Sequence, residues 1–186
     1  MFFHASKIPD LSILKPHVSN HGKPLVYLSE KRENVLVYLS NAVEKHCRET
    51  GFNHTGIYKT WGSYGFTDNG ILHLEEYYPN ATIDTYSGES GYIYSVANLK
   101  NYREQADIPY AVTTDEAAVV TDCEYIFDAY AAILEAAENG KIVLQKYCDN
   151  SQSMLSWIEK TVKAEYQNAE KLPDYRSFLK AKFEFL

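Results

Sequence analysis

The spacing of apolar positions along the chain predicts short strands interrupted by a few helices. The first two strands are expected at residues 1–5 and 24–28, with an irregular, turn-rich loop between them. Ser29 is a favourable N-cap for a helix whose apolar positions recur at helical spacing as far as about Thr50. Because Gly51 follows directly, we expect the helix to end there.

The rest of the chain has the same mixed character. Asp128 is a predicted N-cap for a helix over 129–138, and the chain from Ser151 onward is predicted to be helical with a break at Pro173. Apolar or alternating runs predict further strands at 71–76, 92–96, 109–113, 117–120, 124–127 and 141–147. Since strands and helices do not alternate regularly, the pattern favours an α+β fold over a doubly wound parallel sheet.

The length of 186 residues fits one domain with a terminal appendage. Turn-forming residues are concentrated at 50–70 and 79–91, and we interpret both regions as loops between strands rather than as domain linkers. We therefore predict an α+β domain over 1–149 that contains a loop- and strand-rich insertion at 50–107. Residues 150–186 are predicted to form a helical appendage packed on the same domain.

The composition argues against several classes of protein. Hydrophobic residues make up 45% and charged residues 23%, which argues against a disordered chain or a coiled coil. The net charge is −7, and residues 101–150 alone carry 3 basic and 10 acidic side chains, so binding to duplex nucleic acid is not expected. No run approaches the roughly 18 apolar residues of a membrane helix. We therefore expect no membrane partner. The three cysteines are widely separated in sequence, which favours a location in the reducing cytoplasm.

Common catalytic and nucleotide-binding motifs are absent from the chain, including GxGxxG, the P-loop, HExxH and GxSxG. His17 and His21 have the HxxxH spacing that chelates zinc on a helix, which makes a metal-dependent enzyme one hypothesis. Pro16, Gly22 and Pro24 disfavour a helix in this segment, and no third ligand is near in sequence. We therefore predict no metal site.

Three short segments place chemistry-bearing residues in a suggestive order. The chain opens with Phe2-Phe3-His4-Ala5-Ser6, and the second strand ends with Val26-Tyr27-Leu28-Ser29 before the predicted helix. Cys123-Glu124-Tyr125-Ile126-Phe127 later places a glutamate on a strand. This order resembles the ADP-ribosyltransferase-like fold, in particular the His-Tyr-Glu type found in diphtheria-toxin-like and poly(ADP-ribose) polymerase-like enzymes. The resemblance covers residues 2–45 and 109–147, and it implies a split, mixed or antiparallel sheet with flanking helices.

The resemblance implies NAD as the substrate and three catalytic residues. Glu124 would stabilise the positive charge that develops on the ribose when the bond to nicotinamide breaks. His4 would hydrogen-bond a ribose hydroxyl, and Tyr27 would stack on the nicotinamide ring. The other implied NAD-binding residues are Ala5, Ser6, Ser29 and Tyr38.

Two features depart from the family pattern. Ala5 stands where the family commonly has glycine, and Glu116, Asp122 and Asp128 are rival carboxylates to Glu124. The expected function is NAD-dependent ADP-ribosyl transfer to an acceptor that the sequence does not identify, a protein being one option, or NAD glycohydrolysis. The alternative is a catalytically inactive nucleotide-binding or protein-interaction module on the same fold.

Overall fold

The structure is a computed structural model that describes residues 1–18 and 22–186. Helices account for 34% and strands for 25% of it, the sheets are antiparallel and the chain ends in helices, so the predicted α+β class is confirmed. The chain divides into two compact units. The first comprises Met1–Leu39, Phe66–Leu72 and Ser87–Val143, and the second comprises Ser40–Gly65, His73–Tyr86 and Leu144–Leu186. The domain boundary predicted after residue 149 falls within the second unit.

The described elements are as follows. The strands are β1 (Phe2–Ser6), β2 (Ile13–Leu14), β3 (His17–Val18), β4 (Pro24–Ser29), β5 (Tyr64–Phe66), β6 (Leu72–Glu75), β7 (Gly91–Val96), β8 (Arg103–Glu104), β9 (Ala111–Thr114), β10 (Ala118–Val119), β11 (Asp122–Ile126) and β12 (Ile142–Gln145). The α-helices are α1 (Ala42–Thr50), α2 (Ala81–Tyr86), α3 (Ala129–Glu138), α4 (Gln152–Asn168) and α5 (Pro173–Lys182). Two 3₁₀ helices span Glu33–Leu39 and Tyr147–Asp149.

The first unit is built on an antiparallel sheet with the strand order β11-β7-β1-β4-β9-β8, to which β3 adds beside β4. Strand β1 pairs with β7 along its whole length, from Phe2↔Val96 to Ser6↔Tyr92. Within the described residues, β1 pairs with β4 at Phe3↔Ser29 alone. The sheet therefore opens between β1 and β4 beyond this one pair.

Other elements pack on both faces of this sheet. One face carries an apolar core of Phe2, Val26, Leu28, Tyr94 and Val96, with Leu14 and Ala118 from the β2–β10 ribbon. The other face packs against the 3₁₀ helix Glu33–Leu39. The contact is close at Gly91, where an added Cβ would lie only 2.7 Å from Cδ2 of Leu39. Alternation of side chains along each strand separates the two sets of residues.

The helix predicted from Ser29 to Thr50 is wrong in its first half. The chain forms the 3₁₀ helix instead, and α1 begins only at Ala42. Asn41 causes the break because its backbone is extended and its side-chain oxygen accepts a hydrogen bond from the Val43 amide at 3.1 Å, which caps a new helix. The Ser29 hydroxyl accepts the Lys31 amide at 3.1 Å in a turn rather than at a helix N-terminus.

The second unit is largely helical. The chain from Ser151 is helical as predicted, with Ser151 itself capping α4, and Pro173 is at the first position of α5. The interior of this unit contains Val43, Cys47, Tyr78, Ile158, Val162, Phe178 and Leu179. A small sheet of order β12-β6-β5 contributes residues 64–65, 73–75 and 144–145 to the unit.

Helix α2 lies in the region that we interpreted as a loop at 79–91, and that prediction is wrong for Ala81–Tyr86. The buried Glu76 carboxylate accepts the Thr82 amide at 3.1 Å, which satisfies a backbone group near the N-terminus of the helix. This acceptor comes from outside the helix. Within the described residues, no helix is both long and apolar enough to cross a membrane.

Candidate functional site

The predicted site residues all lie in the first unit. His4, Ala5 and Ser6 are on β1, Tyr27 and Ser29 are on β4, Tyr38 is on the 3₁₀ helix and Glu124 is on β11. The strands β1 and β4 are neighbours, and β7 alone separates β1 from β11. The fold thus gathers segments that are about 100 residues apart in sequence into one part of a single sheet.

The pairing register places Ala5, Tyr27, Ser29 and Glu124 on one face. Ala5 lies opposite Ile93, which in turn lies opposite Glu124. Residues that are directly opposite each other in an antiparallel pair point to the same side. The pair Phe3↔Ser29 adds Ser29 to this side, and Tyr27 follows because it is two residues away on the same strand. We call this side of the sheet, defined by Ala5, Tyr27, Ser29, Ile93 and Glu124, the Glu124 face.

His4 points to the opposite side of the sheet. It pairs with Tyr94, whose side chain is fully buried in the apolar core, and Ser6 has the same orientation. The structure therefore does not bring the His4 side chain onto the face that carries Glu124.

His4 is nevertheless linked directly to Tyr27. Its Nδ1 atom lies 2.8 Å from the Tyr27 carbonyl oxygen, across the opening between β1 and β4. A carbonyl oxygen only accepts, so Nδ1 carries the hydrogen and Nε2 of the neutral ring is an acceptor. Burial lowers the pKa of His4; the Tyr27 carbonyl opposes this shift and His17 adds to it. The imidazole is neutral at pH 7.

Glu124 is held by an arginine that we did not select as a site residue. Arg32 Nε lies 2.7 Å from one carboxylate oxygen of Glu124, and Nη2 lies 2.6 Å from the other. The side chains are partly exposed, 29% for Arg32 and 48% for Glu124. The hydrogen bond to Glu124 raises the pKa of the Arg32 guanidinium. No local signal identifies this pair, because 92 residues separate its members in sequence.

The backbone around Arg32 is fixed by its neighbours. The Ser29 hydroxyl accepts the Lys31 amide, and the Arg32 carbonyl accepts the Val35 amide at 3.3 Å. The segment that joins β4 to the 3₁₀ helix is therefore a bonded turn. Arg32 follows the end of β4, and Glu124 lies on the edge strand β11. The side chains of these two residues meet across the Glu124 face, over β1 and β7.

A second ion pair lies next to this one in sequence. Lys141 Nζ is 2.9 Å from a carboxylate oxygen of Glu33, the residue that follows Arg32. Burial is the largest single effect and acts to raise the pKa of Glu33. The hydrogen bond from Lys141, a backbone hydrogen bond and the positive charges of Lys141 and Arg32 together outweigh it, so the pKa is lowered. Glu33 is therefore ionised at neutral pH and is paired with Lys141.

The rival carboxylates have structural roles. Asp128 caps α3, where its two oxygens accept the Ala131 and Gly88 amides, each at 2.8 Å. Asp122 accepts the amide of the next residue at 2.9 Å. Glu116 accepts a side-chain amide at 2.7 Å. Among the four carboxylates that the sequence analysis considered, Glu124 is the one on the face with Tyr27 that is bound by a guanidinium.

The hydroxyl groups of the predicted site stabilise turns. Ser6 Oγ accepts the Ile8 amide at 3.1 Å, as Ser29 Oγ accepts the Lys31 amide. Each hydroxyl uses an acceptor position in this way and can still donate its hydrogen. The Tyr38 side chain on the 3₁₀ helix is 54% exposed, which leaves much of it accessible to a ligand.

The metal hypothesis rested on two histidines. His17 is on the short strand β3, and His21 lies outside the described residues. In residues 1–18 and 22–186, no group of three or more histidine, cysteine or acidic side chains is arranged to hold a metal ion.

Comparison of the chain with protein-family models, with curated proteins and with solved structures found no match.

Proposed function

We propose that the first unit binds NAD on the Glu124 face, beside the opening between β1 and β4, and transfers ADP-ribose to an acceptor or to water. The observation that carries this proposal is the shared orientation of Tyr27, Ser29, Ala5 and Glu124 on one side of a sheet that opens at this point. An aromatic ring, a hydroxyl and a carboxylate then face the same ligand. The sequence resemblance, from which these residues were chosen, also implies a split sheet.

The chemistry of the reaction requires a carboxylate such as Glu124. Cleavage of the bond between ribose C1′ and the nicotinamide nitrogen releases neutral nicotinamide and leaves positive charge on C1′ and the ring oxygen. A carboxylate near the ribose 2′-hydroxyl stabilises this charge more in the transition state than in the ground state. Water or an acceptor then bonds to C1′ and loses its proton to solvent.

His4 acts indirectly in this proposal. Because its side chain lies on the other side of the sheet from Glu124, we infer that it holds Tyr27 through the backbone carbonyl rather than contacting the ribose. A ring fixed in this way presents a stacking surface at little entropic cost. His4 is thus a positioning residue, and Glu124 is the catalytic residue.

The test is the release of nicotinamide from NAD by the purified protein, measured by chromatography. We expect Glu124→Gln to reduce the rate by roughly 10²-fold or more, the scale seen when a transition-state charge loses its partner. Asp122→Asn is the matched control, because it removes the same charge two residues away on the same strand and face. Equal rates for wild type and Glu124→Gln would contradict the catalytic assignment.

One observation favours a second candidate, the catalytically inactive nucleotide-binding module. Both carboxylate oxygens of Glu124 are bound by Arg32, which neutralises the charge that the reaction needs. Such a module binds NAD without releasing nicotinamide. Calorimetric titration with NAD, run beside the release assay, separates the two candidates, since the module shows binding heat and no product.

A further inference from the structure

Arg32 occupies the carboxylate on which the proposed reaction depends. We propose that Arg32 is an autoinhibitory latch, which holds Glu124 in a charge-neutral pair and must be displaced before nicotinamide is released. This inference rests on the proposed function of Glu124. It concerns regulation of that same site, and it adds a residue that the family resemblance did not select.

The latch follows from the charges at the site. Glu124 would act through its negative charge beside a ribose that becomes positive in the transition state. A guanidinium whose two nitrogens lie 2.6 and 2.7 Å from the carboxylate oxygens offsets that charge and repels the developing cation. While the pair is intact, the site offers little net stabilisation to the transition state.

The latch is able to open because the pair is partly exposed. Ion pairs between solvent-accessible side chains shift an equilibrium by less than about fivefold, and salt screens them. The backbone of Arg32 is held by the turn bonds of Ser29 and Val35, so opening is a movement of its side chain alone. The fold thus fixes the backbone of Arg32, and the guanidinium leaves Glu124 by rotation of the side chain.

The chain offers a matched control in the neighbouring ion pair. Lys141 binds Glu33 at 2.9 Å and is also exposed, but its partner is Glu33 rather than Glu124. Lys141→Ala removes one positive charge from the same unit, as Arg32→Ala does. An effect confined to the Arg32 variant therefore reports the contact with Glu124 rather than the net charge.

The experiment measures nicotinamide release at saturating NAD, between roughly 0.02 and 0.5 M NaCl, for wild type, Arg32→Ala, Arg32→Lys and Lys141→Ala. We expect the wild-type rate to rise about two- to fivefold with salt. Arg32→Ala should begin at the higher rate and respond little to salt. Arg32→Lys should be intermediate, because an ammonium makes no bidentate pair. Lys141→Ala should behave as wild type.

The outcomes separate the two hypotheses. If Arg32→Ala is slower than wild type, or responds to salt as wild type does, while Glu124→Gln is inactive, the latch is refuted and the proposed function stands. If no variant releases nicotinamide at any salt concentration, the proposed function fails and the latch fails with it. Thermal unfolding of each variant confirms that the rates belong to folded protein.

Discussion

Gly91 provides the sharpest test of the packing that positions β1. It is the first residue of β7, where that strand runs beside Ser6 and beneath the 3₁₀ helix. A Cβ at this position would lie 2.7 Å from Cδ2 of Leu39 and 3.0 Å from the Ser6 carbonyl oxygen. Leu39 is fully buried and the Ser6 oxygen belongs to the backbone, so neither yields easily. We expect Gly91→Ala to lower the free energy of unfolding by about 1–3 kcal/mol.

Denaturant unfolding followed by circular dichroism measures this loss, and the midpoint of thermal unfolding should fall by roughly 2–12 °C. Gly65→Ala is the control, because no atom lies within 4 Å of a Cβ there, and it should change stability by less than about 0.5 kcal/mol. A double-mutant cycle with Leu39→Ala should show a coupling above about 0.5 kcal/mol. If Gly91→Ala is as stable as Gly65→Ala, the close packing of the 3₁₀ helix on β7 is refuted.

Two further predictions concern buried polar groups. Glu76 is 3% exposed and accepts the Thr82 and Tyr147 amides at 3.1 and 3.2 Å, so Glu76→Ala should cost about 2–5 kcal/mol of unfolding free energy, and Glu76→Gln should cost less. Equal stability of Glu76→Ala and wild type in urea would contradict this. Because burial lowers the pKa of His4, the unfolded chain binds its proton at higher pH than the folded chain does. The stability due to neutral His4 is complete above the ordinary pKa of about 6.5 and is lost as pH falls from there through the folded value. His4→Asn keeps a donor for the Tyr27 carbonyl and removes this titration, so its unfolding free energy should vary less with pH over that range; an unchanged pH dependence would refute the assignment.

The elements that the sequence predicted well are those whose signals lie within a few residues. Asp128 caps α3 and Ser151 caps α4, and in each case the bonded amide is three residues further along the chain. Helix α2 was missed because Glu76 supplies its acceptor from outside the helix. The break at Asn41 is not predicted because the apolar spacing continues through it, and the Asn41 cap is seen only in the structure.

The placement of the candidate site residues could be predicted only in part, for a related reason. The sequence placed His4, Tyr27 and Glu124 on strands, and the structure gathers those strands in one sheet. The direction of each side chain depends on the register between strands about 20 to 120 residues apart, and a shift of one residue reverses it. No local pattern specifies that register. Only the fold therefore shows that His4 and Glu124 point to opposite sides of the sheet. The same holds for the contact between Arg32 and Glu124.

Both contacts that define the chemistry of the site involve atoms that a motif does not contain. His4 acts on the backbone carbonyl of Tyr27, and Arg32 engages both oxygens of Glu124. The motif residues alone do not distinguish an enzyme from an inactive module, since the availability of the Glu124 carboxylate decides between them. Arg32→Ala releases that carboxylate without altering it, whereas Glu124→Gln removes its charge. A rate that rises in the first variant and disappears in the second identifies a latched enzyme. NAD binding without nicotinamide release in wild type and in Arg32→Ala identifies the inactive module, because freeing the carboxylate then restores nothing.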